Sequence, residues 1–152
     1  MNLRDYLDEQ GVQYQLCHHP AVYTSQALAE AAHVPGQQVI KPVVVEADGQ
    51  FVMCALPACY RIDLDELRRQ LPADRVRIAD ERTLCRLFPE VELGAEPPIG
   101  PLFGLPTVMD DSLGADDKVT FQAGTHDESV TMSMDEYCRI ARPQVAHFGR
   151  HV

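Results

Sequence analysis

The segment VIKPVVVEADGQFVMCAL, residues 39–56, decides the fold. Its first eight residues are mostly apolar, which predicts a strand buried on both faces. Ala47-Asp48-Gly49 is a turn signal and residues 51–56 are apolar again, so the segment predicts a β-hairpin. Pro42 has no amide hydrogen for a sheet ladder, and we therefore expect it at an edge or a bulge.

Lys41 stands out within this strand because it is the only lysine among the first 117 residues. A surface lysine whose stem lies along an edge strand would give the same pattern. The other explanation is a functional cation, since an ammonium carries three donors that can hold a phosphate or an ester carbonyl. From its placement alone, both explanations stay open.

The segments around the hairpin predict short helices and strands in alternation. Helices are expected near residue 3 and over 26–33, 64–71, 80–88 and 134–141, and strands over 12–17, 75–78, 107–110, 118–122 and 129–133. We expect a fraying tail from Pro143 onward. The pattern predicts the α/β class, with a curled, mixed, partly antiparallel sheet flanked by helices, in one domain spanning residues 1–152.

A second unusual segment is GAEPPIGPLFGLPTVM, residues 94–109, with three glycines and four prolines. It cannot be a helix, yet it carries large apolar side chains such as Ile99 and Phe103, which a flexible linker would lack. We expect an ordered loop whose backbone approaches a ligand closely. Amides near Gly100 are candidates for an oxyanion hole, and Met53, Leu102 and Phe103 are candidates for an apolar wall that limits ligand size.

Charge and composition exclude several functions. The net charge of −10 argues against a broad grip on nucleic acid and against DNA as a partner. No apolar run reaches the length of a membrane helix, and the polar N-terminus is not a signal peptide, so we expect a cytoplasmic protein without a membrane partner. Five cysteines without CxxC spacing, and the pair His18-His19 without a third ligand, predict no metal site and no disulfide framework.

Several segments in a fixed order resemble the YbaK-type family of aminoacyl-tRNA deacylases. This family includes free-standing enzymes and the editing domain inserted in bacterial prolyl-tRNA synthetases. The resemblance covers about residues 20–143 and rests on VIKP, the hairpin, ADERTL, GAEPPIGPLFGLPTVMDDSL and VTFQAGTHDESVTM. It implies a curled mixed sheet flanked by helices, in agreement with the pattern above.

The resemblance also implies an activity, namely hydrolysis of the ester that joins a wrong amino acid to the 3′ end of a tRNA. Similar proteins use no metal or other cofactor, and the terminal ribose hydroxyl helps to position the attacking water. Lys41 falls on the lysine that these enzymes need, and Gly94 and Pro98 fall on their GxxxP loop. Gly124, Thr125 and His126 fall on a glycine-turn segment that helps to shape the pocket.

The residues themselves leave alternatives open. His126 is a candidate general base because imidazole titrates near neutral pH, and it is equally a turn histidine that lines the pocket. Cys54 or Cys59 is a conceivable nucleophile, although no partner histidine is visible in the sequence. The negative net charge is also consistent with two other functions. One is an inactive module that binds aminoacyl-tRNA or a synthetase, and the other is a hydrolase of small free esters. A synthetase or elongation factor could supply the positive surface that the chain lacks.

Overall fold

The computed structural model describes residues 2–115 and 117–152, with the side chain of residue 115 left out. Within that part of the chain the helices are α1 (Leu3–Glu9), α2 (Ser25–Ala32), α3 (Leu64–Gln70), α4 (Glu81–Leu87) and α5 (Met134–Ala141). The strands are β1 (Tyr14–His18), β2 (Ile40–Ala47), β3 (Gln50–Pro57), β4 (Tyr60–Ile62), β5 (Val76–Ile78), β6 (Thr107–Asp110), β7 (Lys118–Gln122), β8 (Glu128–Ser133), β9 (Gln144–Ala146) and β10 (Gly149–His151). Among the described residues, no helix has both the length and the apolar character needed to cross a bilayer.

The strands divide among three sheets. A mixed sheet has the order β5-β2-β3-β6-β9, an antiparallel sheet has the order β1-β8-β7, and β10 pairs with β4. One parallel bridge between Val39 and Thr120 connects the first two sheets. The predicted α/β class with a mixed sheet flanked by helices is confirmed, although the mixed sheet is not strongly curled and the described strands divide among three sheets.

The predicted hairpin is the centre of the mixed sheet. β2 and β3 pair antiparallel over eight positions, from Ile40 with Pro57 to Ala47 with Gln50. Asp48 and Gly49 close the turn with φ of 50° and 84°, the left-handed values that a two-residue hairpin turn needs. β5 pairs with β2 only from Val45 onward, so among the described strands Pro42 has β3 alone beside it.

Each helix begins at a side chain that caps it. In all five helices the capping side chain accepts a hydrogen bond from the amide three residues ahead, which satisfies a donor that the first turn leaves free. These caps are Asn2, Thr24, Asp63, Asp80 and Ser133.

The prediction of a fraying tail from Pro143 is wrong. The segment forms β9, parallel to β6, and β10, antiparallel to β4. Phe148 lies between them and is 1% exposed. The Asp110 carboxylate accepts from the amides of Phe148 and Gly149 at 2.9 and 2.6 Å, so a buried acid on a distant strand anchors the tail.

The two faces of the hairpin pack against different partners. Val44 and Met53 face a cluster that contains Phe88 and Phe103. Because side chains alternate along a strand, Lys41 projects from the opposite face. That face carries the cluster around Cys54, Leu56, Leu67 and Phe148.

Candidate functional site

Lys41 lies half-buried on β2, where it pairs with Leu56. Its ammonium donates a hydrogen bond to the carbonyl oxygen of Tyr60. Burial lowers the pKa of the Lys41 amine, and the nearby Cys59 acts in the opposite direction with a smaller effect. Among the described residues this is its one hydrogen bond, so two of its three donors remain for a ligand.

Basic side chains surround the carbonyl that Lys41 contacts. Arg61 on β4 pairs with Arg150 on β10, and both are exposed. The ring of His151 lies 5.1 Å from that of Tyr60. Arg150 also contacts Asp63 at 2.6 Å, which neutralises part of this charge. The two-stranded sheet therefore gives an acidic protein two exposed arginines on the strands that adjoin the Lys41 contact.

The glycine- and proline-rich segment is ordered, as its apolar content predicts. Residues 95–100 are all buried. The hydroxyl of the fully buried Tyr137 donates to the carbonyl of Pro98 at 2.6 Å, which ties the loop to α5. Gly94 opens the segment with φ of 90°, a conformation that favours glycine.

Gly100 does not have the role that the sequence predicts. Its amide donates to Thr107 Oγ1 at 2.8 Å, so it is not available to an oxyanion. A Cβ at this position would lie closer than 3.0 Å to the carbonyl oxygen of Leu105, to Thr107 Oγ1 and to Pro106. Glycine is needed here because the backbone crosses itself closely, not because its amide reaches a ligand.

The loop and the glycine turn contact each other. The amide of Gly124 donates to Ala95 at 3.0 Å, and the carbonyl of Gly124 accepts from Glu92 at 2.9 Å. Gly124 is buried with φ of 94°, and the hydroxyl of Thr125 donates to Asp127 at 2.9 Å. Two segments that are 30 residues apart in the sequence therefore form one wall.

His126 is held on all sides within this wall. Its amide donates to Glu92 Oε1 at 2.7 Å. Nδ1 lies 3.1 Å from the carbonyl oxygen of Val22, and Nε2 lies 2.9 Å from that of Leu93. Both ring nitrogens are therefore directed at backbone carbonyl oxygens, and a water molecule would have to displace one of these contacts to reach the ring. The geometry supports a pocket-lining histidine rather than a general base.

A cavity of about 650 Å³ lies on the other side of this turn. Its lining includes Leu102, Phe103, Gly124 and Thr125, with α1 and the end of α4 opposite. Lys41 and Met53 are not among its described lining residues. Of the three candidates for the apolar wall, Leu102 and Phe103 line this cavity, whereas Met53 is fully buried in the cluster that contains Phe103 and faces away from Lys41.

Sequence analysis missed three polar side chains near His126. His19 Nε2, Gln122 Oε1 and Ser129 Oγ are buried and have no hydrogen-bond partner among the described residues. Gln122 and Ser129 are 4% and 1% exposed. They are direct partners across β7 and β8, within the segment that carries the resemblance. Only that location hints at them, because their common face depends on strand register.

The parallel bridge places these side chains and Lys41 on one side of the molecule. Val39 and Thr120 are bridge partners, and they share a face. Lys41 is two residues beyond Val39, and Gln122 is two residues beyond Thr120. Alternation along a strand returns each to the same face. α2 covers this side through its contact with Val39.

Two other groups of side chains with reactive atoms have structural roles in the fold. Asp110, Asp111 and His147 bring ligand atoms within 4.8 Å of one another, a spacing that suits a cation. However, the Asp110 oxygens already accept from the amides of Phe148 and Gly149 and from the amide and hydroxyl of Ser112.

Cys54, one of the two conceivable nucleophiles, is fully buried on β3. Burial raises the pKa of its thiol to about 12, because an apolar environment disfavours the charged thiolate. The thiolate is the nucleophilic form, so Cys54 is inert at neutral pH.

Comparisons of the sequence and of the structure identify known proteins that are similar to this chain. Residues 19–140 match the family model described as an aminoacyl-tRNA editing domain. The chain is 30% identical to the multifunctional Ser/Thr-tRNA deacylase ProXp-y of Escherichia coli K12, over 95% of this chain and 89% of that protein. A solved structure described as a candidate trans-editing enzyme for prolyl-tRNA synthetase matches 97% of this chain and 94% of its own, with a TM-score of 0.86 and 22% identity. The hypothetical protein APE2540 matches 97% of this chain and 99% of its own, with a TM-score of 0.86 and 18% identity.

Proposed function

Because this chain belongs to the aminoacyl-tRNA editing domain family, we propose that it is a trans-editing deacylase. It hydrolyses the ester between a small amino acid and the 3′ end of a mischarged tRNA. The observation that carries the proposal is Lys41, a half-buried ammonium with two unused donors on the side of the molecule that holds Gln122. Such a cation suits the negative charge that develops during ester hydrolysis.

The reaction needs few protein groups. Water adds to the ester carbonyl carbon, and the oxygen of the tetrahedral intermediate becomes negative. The bond to the ribose oxygen then breaks, and that oxygen takes the proton that the water gives up. Lys41 stabilises the oxyanion or fixes the terminal phosphate, and the neighbouring ribose hydroxyl orients the water. This mechanism does not require His126 as a general base, which agrees with the contacts of both its ring nitrogens to backbone carbonyl oxygens.

The acceptor end of the tRNA has two plausible contacts. Tyr23 is 72% exposed, and its ring lies 4.8 Å from the His126 ring, so a terminal base can stack on it. The basic surface of Arg61, Arg150 and His151 faces the phosphates. Because the whole chain is acidic, we propose that a synthetase or an elongation factor in the cytoplasm delivers the tRNA.

The proposed substrate is an ester of a small amino acid. A synthetase discriminates poorly between amino acids that differ by one methylene, which is worth about 1–3 kcal/mol. A second pocket that hydrolyses the wrong product multiplies this discrimination. Gly94, Pro98 and Gly124–His126 form the wall that limits the size of the amino acid in this proposal.

A panel of aminoacyl-tRNAs tests the proposal. Alanine, cysteine, serine and threonine are each placed on tRNAs for proline and for other amino acids. We expect multiple turnovers with at least one mischarged species and none with correctly charged prolyl-tRNA. Binding without release of the amino acid from any species would contradict the proposal and would support an inactive binding module. Cleavage of small aminoacyl esters without tRNA dependence would point to a hydrolase of free esters.

A further inference from the structure

We propose that His19, Gln122 and Ser129 form a cradle that holds the α-amino group of the aminoacyl ester. The inference rests on the proposed function and names the part of the substrate that these three side chains would bind. Its basis is that these side chains bring together three buried polar atoms, none of which has a partner among the described residues. Folded proteins rarely leave one such atom unpaired, and three on one face require an explanation.

The strand register brings the three side chains together. Gln122 faces Ser129 across β7 and β8, and Cys17 on β1 faces Ser129 from the other side. His19 follows two residues after Cys17, and its amide donates to Asp127 at 3.0 Å, which continues the antiparallel ladder. His19 therefore shares the face of Cys17 and Ser129, within the diagonal reach of a long side chain.

The three side chains lie beside the wall that contains His126. Gln122 Nε2 donates to the carbonyl oxygen of Val22 at 3.2 Å. The same oxygen lies 3.1 Å from Nδ1 of His126. One backbone carbonyl thus connects Gln122 to the site, and Lys41 lies on the same side of the molecule.

The unpaired atoms call for a ligand with several donors. Because Gln122 Nε2 faces a carbonyl oxygen, the amide orientation is fixed and Oε1 is an acceptor. His19 Nδ1 lies 2.9 Å from the carbonyl oxygen of Pro20, and in the tautomer in which Nδ1 donates to that oxygen, Nε2 is an acceptor. Ser129 Oγ accepts as well. Three acceptors match the donors of an ammonium group.

A bound water molecule is the competing explanation, because it also donates twice. The two explanations differ in what the side chains do for the free protein. A structural water stabilises the fold, so loss of a side chain that holds it lowers the melting temperature. A substrate cradle is unsatisfied in the free protein, so removal of the Ser129 hydroxyl leaves the melting temperature unchanged or raises it.

The test uses two stable analogues of the aminoacyl end. In 3′-(alanylamino)-3′-deoxyadenosine an amide replaces the ester, and the propionylamino analogue lacks only the α-amino group. We expect the wild-type chain to bind the first about tenfold more tightly, the effect of one good hydrogen bond to a charged group. Gln122→Met and Ser129→Ala should remove this preference. Thr131→Val is the matched control, because that hydroxyl is on the same face and already contacts Thr120 at 2.7 Å.

Three results would overturn the cradle. They are equal affinity of the wild-type chain for both analogues, no measurable binding of either, and a lower melting temperature for Ser129→Ala. A preference for the amino analogue that disappears in Gln122→Met supports the cradle, even if the wild-type chain hydrolyses no member of the aminoacyl-tRNA panel. In that event the cradle stands and the proposed deacylase activity fails.

Discussion

Burial of Lys41 connects stability to pH. Its native pKa is lowered from 10.5, so the unfolded chain binds the proton more tightly than the folded chain does. The contribution of this group to stability therefore rises as the pH increases from the native pKa toward 10.5. Below that window, the folded protein bears the full cost of a half-buried charge.

Replacement of Lys41 by methionine should remove this dependence on pH. We expect the stability of Lys41→Met, relative to the wild-type chain, to be highest near neutral pH and to decline toward about pH 10. Urea denaturation at several pH values measures this difference. A difference that stays constant across the range would mean that Lys41 is as hydrated in the folded protein as in the unfolded chain.

Gly100 is predicted to be a structural requirement rather than a chemical one. Gly100→Ala forces a methyl group against backbone atoms of Leu105 and Pro106, and we expect a loss of roughly 3 kcal/mol or more in the free energy of unfolding. Gly114→Ala is the control, because a Cβ there meets nothing within 4 Å. If Gly100→Ala were as stable as Gly114→Ala, the close crossing at residue 100 would be wrong.

The sequence identifies some individual residues of the site better than others. Lys41 is visible because a lone cation interrupts an apolar strand. His126 and Gly124 are visible through the family resemblance. The His19–Gln122–Ser129 group is not visible, because its members come from two strands and from the residue that follows a third, and their common face depends on register. Met53 is a candidate for the apolar wall in the sequence, and only the strand pairing shows that its side chain and that of Lys41 occupy opposite faces of the hairpin.

Helices and strands with a local signal are predicted well. The hairpin has its turn residues, and each of the five helices has a capping residue whose side chain accepts from the first turn. β4, β9 and β10 have three residues each and no such signal. They form because Asp110 and the β6 edge hold the tail, and these contacts connect residues about 40 apart. Propensity over a short window contains no information about them.

The C-terminal strands should be essential for stability. Phe148 fills the cluster beneath α3, and Phe148→Ala should cost about 3–5 kcal/mol of unfolding free energy. The adjacent His147 is exposed, so His147→Ala serves as the control and should change stability by less than about 1 kcal/mol. Thermal unfolding of both variants measures the effect. Equal melting temperatures of the two variants would mean that the C-terminal segment is not packed against the core, as the sequence predicts.

The charge of the whole molecule limits how it binds tRNA. With a net charge of −10, few phosphates can be neutralised, and the basic side chains near Lys41 are Arg61, Arg150 and His151. A small contact and delivery by a partner protein are both consistent with this balance. The acidic surface repels the rest of the tRNA at low salt.

Binding of tRNA should therefore depend weakly on salt. With about three contacts to a single-stranded end, the logarithm of the binding constant should fall with a slope near −2 against the logarithm of salt concentration. Arg150→Gln should reduce the slope by about 0.7. Titration of a non-hydrolysable aminoacyl-tRNA at several salt concentrations measures it. A slope steeper than about −5 would reveal a broad basic surface that the described residues do not form.

The most direct measurement compares the two lysines of the chain. Lys41→Met and Lys118→Met remove the same charge, but Lys118 is exposed at the start of β7. Single-turnover hydrolysis of the best mischarged aminoacyl-tRNA should fall at least about a hundredfold in Lys41→Met, as expected when a group that stabilises the transition state is lost. The rate should be unchanged in Lys118→Met, and both variants should keep their far-ultraviolet circular dichroism. A folded Lys41→Met variant with the wild-type rate would contradict the proposed role of Lys41.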